Sequence, residues 1–118
     1  MEKGYKKLVV WQKADDLAFQ VYMVTKSFPR DELYGITSQL RRAVVSIATN
    51  IVESQGRQGR NETRQFINIA LGSLAETEYL LELSLRLSYI SDENYALLEG
   101  LRKDVGGLLW NLHKSLAR

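Results

Sequence analysis

Three arginines lie in or directly after a short stretch with two glycines near the middle of the chain, GRQGRNETR (residues 56–64). Arg57, Arg60 and Arg64 follow one another at steps of three and four residues. Glycines let backbone N–H groups approach a bound anion, and guanidinium groups form charge-assisted hydrogen bonds with phosphate. The pattern predicts a phosphate-binding turn in which these three arginines contact RNA or DNA.

A second interpretation of the same stretch needs no ligand. The glycines end one helix, the arginines keep the turn solvated, and Arg57 or Arg60 neutralises Glu53. The letters GRQG also match the G-x-x-G loop of KH domains, but that fold needs strands, and no strand pattern occurs here. Every basic residue between positions 41 and 64 is an arginine, which makes Arg41 a further candidate contact.

Composition excludes several kinds of chemistry. The 118 residues include no cysteine, so disulfides, thiolate metal sites and cysteine nucleophiles are excluded, and we expect a cytoplasmic location. His113 is the single histidine, which leaves no ligand set for zinc and no Glu-x-x-His pair for a di-iron bundle. Neither a P-loop nor a nucleophile elbow occurs. We therefore expect a non-enzymatic protein with no cofactor and no metal.

Length and hydropathy indicate one domain, residues 1–118. The net charge of +2 is too small to indicate nucleic-acid binding by itself. No apolar run approaches the roughly 18 residues of a membrane span. The apolar run near the N-terminus is also too short for a signal peptide. We expect neither membrane insertion nor a leader sequence.

Apolar residues recur at helical spacing along the chain. The spacing predicts four helices, at about 8–28, 31–54, 61–90 and 91–117. Pro29 ends the first helix, Asn61 caps the third and Ser91 caps the fourth. Because the connections are only a few residues long, the sequence predicts an all-α, up-down-up-down antiparallel four-helix bundle.

Each helix has a predicted core face. In the first two helices the core residues are Val10, Ala14, Leu17, Val21, Val24 and Phe28, then Ile36, Leu40, Ala43, Val44, Ile47 and Ile51. The third helix has one stripe of Phe66, Ile69, Ser73, Glu76, Leu80, Leu83, Leu87 and Ile90 and a neighbouring one of Ile67, Ala70, Leu74 and Leu81. In the fourth helix they are Leu98, Leu101, Val105, Leu108 and Leu112.

The third and fourth helices carry more apolar residues than one core face requires. Gly106 and Gly107, in the middle of the fourth helix, also predict a close approach by another helix or by another subunit. The surplus apolar surface favours the subunit interface, and hence self-association.

Polar residues within the helical pattern predict one ion pair. Antiparallel packing about the intervening turn places Arg42 level with Ser73, and Gln39 level with Glu76. We predict a partly buried Arg42–Glu76 ion pair that fixes the register, with Gln39 or Ser46 satisfying the remaining lone pairs. A catalytic role for Glu76 is disfavoured because no second carboxylate or histidine lies beside it.

The predicted topology places the start of the chain, the turn at 54–61 and the C-terminus at one end of the bundle. Basic residues would gather at this end beside the arginines of the turn. They are Lys3, Lys6, Lys7, Lys13, Lys114 and Arg118.

Three blocks of sequence resemble a known family. They are WQKADDLAFQVY (11–22), FPRDELYGITSQLRRAVVSIATNIVES (28–54) and FINIALGSLAETEYLLEL (66–83). In order and spacing they are similar to bacterial four-helix-bundle proteins encoded in intervening sequences of 23S ribosomal RNA genes. The usual N-I-A-E-G turn of that family is N-I-V-E-S here, at residues 50–54. This difference affects where the second helix ends.

The resemblance implies a ring-shaped homopentamer without enzymatic activity. Its relatives include the accessory protein of diversity-generating retroelements, which binds nucleic acid beside a reverse transcriptase. We therefore predict a self-associating bundle that binds RNA or DNA through a basic surface as an accessory factor. The main alternative is a protein–protein interaction adaptor, and a third is a carrier that holds a small ligand in the bundle core.

Overall fold

The helical spacing of the apolar residues produces four long helices in the computed structural model, which describes residues 4–117. They are α1 (Val9–Thr25), α2 (Ile36–Gln55), α3 (Arg60–Arg86) and α4 (Asp92–Ser115). Two short 3-10 helices, Gly4–Lys7 and Arg30–Glu32, precede α1 and α2. The 27 residues of α3, about 40 Å long at the α-helical rise, span most of the 43 Å long axis of the molecule.

The helices pack in chain order, α1 on α2, α2 on α3 and α3 on α4, and α4 closes back onto α1. Side-chain contacts fix their directions. Arg64 near the start of α3 lies 3.3 Å from His113 near the end of α4. Lys13 in the first half of α1 lies 3.4 Å from Asp104 in the second half of α4. The predicted all-α, up-down-up-down antiparallel four-helix bundle is confirmed. No helix in residues 4–117 is long and apolar enough to cross a membrane.

The core faces of α1 and α2 are the predicted ones. All six predicted residues of α2 are buried. Those predicted for the first helix are buried too, except Val24, which is partly buried, and Phe28 among them lies just after the end of α1. In α4, Leu98 and Val105 are buried as predicted, but Leu109, which the prediction left outside the core face, is fully buried as well. Burial of these side chains supplies the main driving force for folding.

The core face of α3 differs from the broader of its two predicted stripes. Ile69 is 50% exposed, and Glu76 lies on the surface. All four residues of the narrower predicted stripe are buried, and Thr77 and Ser84 extend it. Leu80 and Ile90 of the broader stripe are also buried, as predicted. These two hydroxyls donate to the backbone carbonyls four residues earlier, at 2.8 Å and 2.7 Å, so the core accommodates them without unpaired polar groups.

The ends of all four helices differ from the prediction, and α1 ends at Thr25 rather than 28. α2 begins at Ile36 rather than 31, because residues 30–32 form a separate 3-10 turn. α3 begins at Arg60, with Gly59 instead of Asn61 as its N-cap. It ends at Arg86 instead of 90. The predicted cap of α4 is confirmed, since the Ser91 hydroxyl accepts from the Asn94 N–H at 3.1 Å, but the helix ends at Ser115 instead of 117.

Ser88 closes α3 in a left-handed conformation, with φ of 61°. Its N–H donates to the Leu85 carbonyl, and the Tyr89 N–H donates to the Ser84 carbonyl, at 3.0 Å and 2.9 Å. This is the Schellman arrangement that commonly ends helices, with serine in the position that glycine usually occupies. The turn directs the chain into α4 and places Tyr89 beside the α1–α2 connection.

The two mid-helix glycines of α4 have different surroundings. A Cβ on Gly106 would lie 3.0 Å from a methyl carbon of Leu74, so this glycine allows α3 and α4 to approach closely. A Cβ on Gly107 would have no atom of the described chain within 4 Å. The interpretation as an intrachain crossing therefore holds for Gly106 alone.

Candidate nucleic-acid interface

The turn between α2 and α3 presents Arg57 just after the end of α2. Its guanidinium lies 2.8 Å from the Glu53 carboxylate and 4.7 Å from the centre of the Phe66 ring. The carboxylate stabilises the positive charge of Arg57 as an ion pair, and the aromatic ring stabilises it through a cation–π contact. Arg57 therefore neutralises Glu53, as the second interpretation of the turn predicted, and is held against the start of α3.

Arg64 belongs to a different group, which joins α3 to α4. Its Nε donates to His113 Nε2 at 3.3 Å. The His113 ring stacks on the indole of Trp110, with ring centres 5.5 Å apart and planes 12° apart. Because a guanidinium can only donate, His113 accepts through Nε2 in this hydrogen bond. Trp110 itself is 51% exposed.

Amide side chains surround Arg64 on the surface of α3. Asn61, Arg64, Gln65 and Asn68 line a polar groove of about 280 Å³. The spacing of the three amides places them on one face of the helix. Each amide both donates and accepts hydrogen bonds, which is the chemistry needed to read the edges of nucleic-acid bases.

Arg60, the first residue of α3, is exposed at the same end of the bundle as Arg57 and Arg64. Lys6 and Lys7 lie in the 3-10 helix that precedes α1, and Lys114 lies in the last turn of α4. These three lysines are therefore at the end where the topology was predicted to gather them. The predicted contributions of Lys3 and Arg118 lie outside the described residues.

Arg41 lies near the opposite end, about 20 Å along α2 from its last residue. Its Nε donates to the Thr25 hydroxyl at 2.9 Å. Its guanidinium carbon lies 4.9 Å from the centre of the Tyr22 ring. The structure therefore does not bring Arg41 together with the other three candidate arginines.

The predicted Arg42–Glu76 ion pair is not formed. Both residues are exposed, and no salt bridge in residues 4–117 joins them. The register explains the difference, because the Ser73 hydroxyl donates to Ser46 at 2.8 Å. Ser73 thus lies level with Ser46 and not with Arg42, a displacement of four residues or about one helical turn.

An ion-pair cluster that the sequence reasoning missed joins α3 to α4. Arg102 lies 3.2 Å from the Glu78 carboxylate of α3, and its Nε donates to Glu99 at 2.8 Å. The side chains of Arg102 and Glu99 are only 11% and 13% exposed. The hydrogen bond to Glu99 raises the pKa of Arg102, while burial and then the Glu99 charge raise the pKa of neighbouring Tyr95. In the sequence, this cluster was indicated only by the i, i+3 spacing of Glu99 and Arg102, which allows an ion pair along one helix.

Comparison with known proteins agrees with this architecture. Residues 6–111 match the family described as 23S rRNA-intervening sequence protein. A crystal structure from Bacteroides thetaiotaomicron, of a protein of unknown function in the S23 ribosomal protein family, is 31% identical in sequence with a TM-score of 0.84. The similarity covers 90% of this chain and 99% of that one. The search of curated proteins found no match. The chain therefore belongs to the 23S rRNA-intervening sequence protein family.

Proposed function

We propose that this protein is a self-associating accessory factor that binds single-stranded RNA or DNA at the end of the bundle where α3 begins. The observation that carries the proposal is the meeting of three groups there, the Arg64 guanidinium, the amide-lined groove and the exposed Trp110 indole. The lack of cysteine supports a cytoplasmic setting for this function.

Each group supplies a different part of nucleic-acid binding. A guanidinium has five N–H donors, and the bond to His113 uses one, which leaves four for phosphate. The amides of Asn61, Gln65 and Asn68 can pair with base edges. Trp110 offers a flat surface on which an unpaired base can stack. Stacking requires bases that are not enclosed in a duplex, so the combination favours single strands.

Replacing Arg64 by alanine tests the phosphate contact. We expect affinity for a fluorescent single-stranded oligonucleotide to fall about tenfold, and the slope of log K against log salt to decrease by about 0.7, because one phosphate contact is lost. Fluorescence anisotropy between 50 and 200 mM salt measures both quantities, with RNA, DNA and duplex competitors. Arg57→Ala should change binding less, since Glu53 already neutralises that arginine.

The matched control is Arg86→Ala, which removes one exposed positive charge from the opposite end of α3. An equal loss of affinity in Arg86→Ala would show that Arg64 affects binding only through the net charge of the protein. Absence of binding at micromolar protein would contradict the nucleic-acid proposal and favour the alternative, a protein–protein interaction adaptor.

The proposal of self-association rests on two outward faces that nothing in the described chain covers. Phe19 and Met23 on α1 are 60% and 45% exposed. On α4, Gly100 and Gly107 would each carry a Cβ in open space, although glycine costs an isolated helix about 1 kcal/mol against alanine. Small residues permit another helix to approach closely. An apolar face on one subunit and a glycine face on the next would form a heterologous contact, which generates rings.

Changing Phe19 to aspartate tests this contact. We expect the wild-type protein to sediment at several times its 13.5 kDa chain mass, and five subunits is the number that the family resemblance implies. Phe19→Asp should shift the protein to the monomer, because it places a charge in an apolar contact. Tyr34→Asp is the control, since it introduces the same charge at an aromatic residue that is 92% exposed. A wild-type protein that sediments as a monomer at 50 μM would refute the proposal.

A further inference from the structure

A second pocket lies at the opposite end of the bundle, where α1 passes through the 3-10 turn into α2. It has a volume of about 230 Å³. The cationic residues Lys26, Arg30 and Arg41 line it, together with Thr37 and the apolar side chains of Phe28 and Leu33. The pocket is thus basic on one part of its wall and apolar on another.

No aspartate or glutamate among residues 4–117 lines this pocket. Glu32 is the acidic residue of the adjoining turn that is partly buried, and its carboxylate is occupied elsewhere. It accepts from the Ile36 N–H at 3.3 Å and from the Tyr89 hydroxyl at 2.8 Å. The bond to Glu32 raises the pKa of Tyr89, so the phenol remains a donor at neutral pH. Asp31 is exposed and does not line the pocket.

Arg41 is held in position at the pocket wall. The Thr25 hydroxyl accepts from its Nε at 2.9 Å, and the Tyr22 ring lies 4.9 Å from its guanidinium carbon. Thr25 is fixed in turn, because its hydroxyl donates to the Val21 carbonyl at 2.7 Å. Four N–H groups of Arg41 remain for a ligand, and little side-chain freedom is left to lose when the ligand binds.

Thr37 is the exception among the buried polar side chains in the described part of the chain. The other four, Thr25, Ser54, Thr77 and Ser84, each donate a hydrogen bond to a backbone carbonyl. Thr37 is 2% exposed, and its hydroxyl has no partner. Buried polar groups are normally paired. Thr37 is also the second residue of α2, where the helix dipole favours an anion.

We propose that this pocket binds a terminal phosphate, a phosphate monoester, whose attached ring or chain lies against Phe28 and Leu33. A monoester carries about −1.5 to −2 charges at neutral pH and three oxygens, whereas a phosphodiester carries one charge, so three cations favour the monoester. The pocket is smaller than the roughly 300–1,000 Å³ of sites for drug-sized ligands, so it encloses one charged group and its nearest neighbour. The bearer is a small phosphorylated molecule or the phosphorylated end of a nucleic-acid strand.

Isothermal titration with phenyl phosphate tests the inference on the full chain. We expect a dissociation constant below about 1 mM, with at least tenfold weaker binding of methyl phenyl phosphate and of phenol. Lys26→Ala and Arg30→Ala should each weaken phenyl phosphate severalfold. Lys103→Ala, which removes an exposed lysine from α4, should not. Equal binding of the diester, or an equal loss in Lys103→Ala, would overturn the proposal.

Thr37→Val separates ligand binding from folding. Valine matches threonine in shape but removes the unpaired hydroxyl, so we expect an unchanged or higher melting temperature together with severalfold weaker phenyl phosphate binding. A variant that merely folds badly would melt lower. Unchanged affinity in both Thr37→Val and Arg41→Lys would overturn the proposal.

Binding of a short oligonucleotide with and without a 5′-phosphate identifies which kind of molecule carries the phosphate monoester. Tighter binding of the phosphorylated strand than of the unphosphorylated one assigns the pocket to a strand end, and equal binding of the two strands assigns it to a small molecule. The proposal is independent of the interface at the other end of the bundle, because Arg64→Ala should leave phenyl phosphate binding unchanged.

Discussion

Replacing Arg102 by alanine is expected to lower the free energy of unfolding by about 2–4 kcal/mol. The change leaves the Glu99 carboxylate, 13% exposed, without the guanidinium that it accepts from. An uncompensated charge of this kind costs more than the ion pair itself contributes, because the carboxylate has already lost most of its water. Partial access of solvent to Glu78, which is 46% exposed, keeps the cost below that of a fully buried pair.

Urea denaturation of three variants separates the contributions at this cluster. Glu78→Ala should cost at most about 1 kcal/mol, because Glu78 is the exposed partner. The double variant Arg102→Met, Glu99→Met should recover most of the stability lost in Arg102→Ala, since it removes both charges and keeps the apolar volume. A double variant as unstable as Arg102→Ala would show that the unpaired charge of Glu99 does not account for the loss.

The fold followed from the sequence because the helical period is a property of each helix alone. The six core positions predicted from the spacing of apolar residues in α2 are all buried. The same reasoning was less reliable for α3, because either of two neighbouring apolar stripes could form its core face. The sequence shows that Ile69 and Ile67 are both apolar, but only packing against α2 and α4 decides that Ile67 is buried and Ile69 half exposed.

Contacts between helices depend on register, which spacing alone does not determine. The predicted pair needed Arg42 to lie level with Ser73, and a displacement of one turn placed Ser46 there instead. Arg102 and Glu99 were visible as an i, i+3 pair, but their burial depends on how α4 packs against α3. Sequence reasoning therefore predicted one interhelical ion pair wrongly and missed the pair between Arg102 and Glu78 that joins α3 to α4.

The candidate interface was predictable in its position but not in its composition. The topology correctly placed the start of α3 beside the end of α4. Arg64 and His113 are 49 residues apart, and the hydrogen bond between them requires a rotation of α4 that no local pattern reports. The glycine-containing stretch made Arg57 a predicted phosphate contact. In the structure Arg57 pairs with Glu53, so Arg64 is the better candidate for contacting phosphate.

Replacing Trp110 by alanine is expected to weaken binding of a single-stranded oligonucleotide about 5- to 150-fold, the range that loss of one stacked base produces. One face of the indole stacks on His113, and the residue is 51% exposed, so a base can reach the remaining surface. Trp110→Phe should keep much of the affinity, because phenylalanine retains an aromatic face. Tyr34→Ala, at the most exposed aromatic residue of the described chain, is the control.

Salt dependence distinguishes the Trp110 effect from that of Arg64. Stacking releases no counterions, so Trp110→Ala should lower the affinity at every salt concentration without changing the slope, whereas Arg64→Ala should change the slope. Fluorescence gives a second readout, since Trp11→Phe leaves Trp110 as the only indole and stacking should quench it. If Trp110→Ala binds like the wild type while Arg64→Ala is weakened, the site reads phosphate alone. The indole would then serve only to position His113, and through it the guanidinium of Arg64.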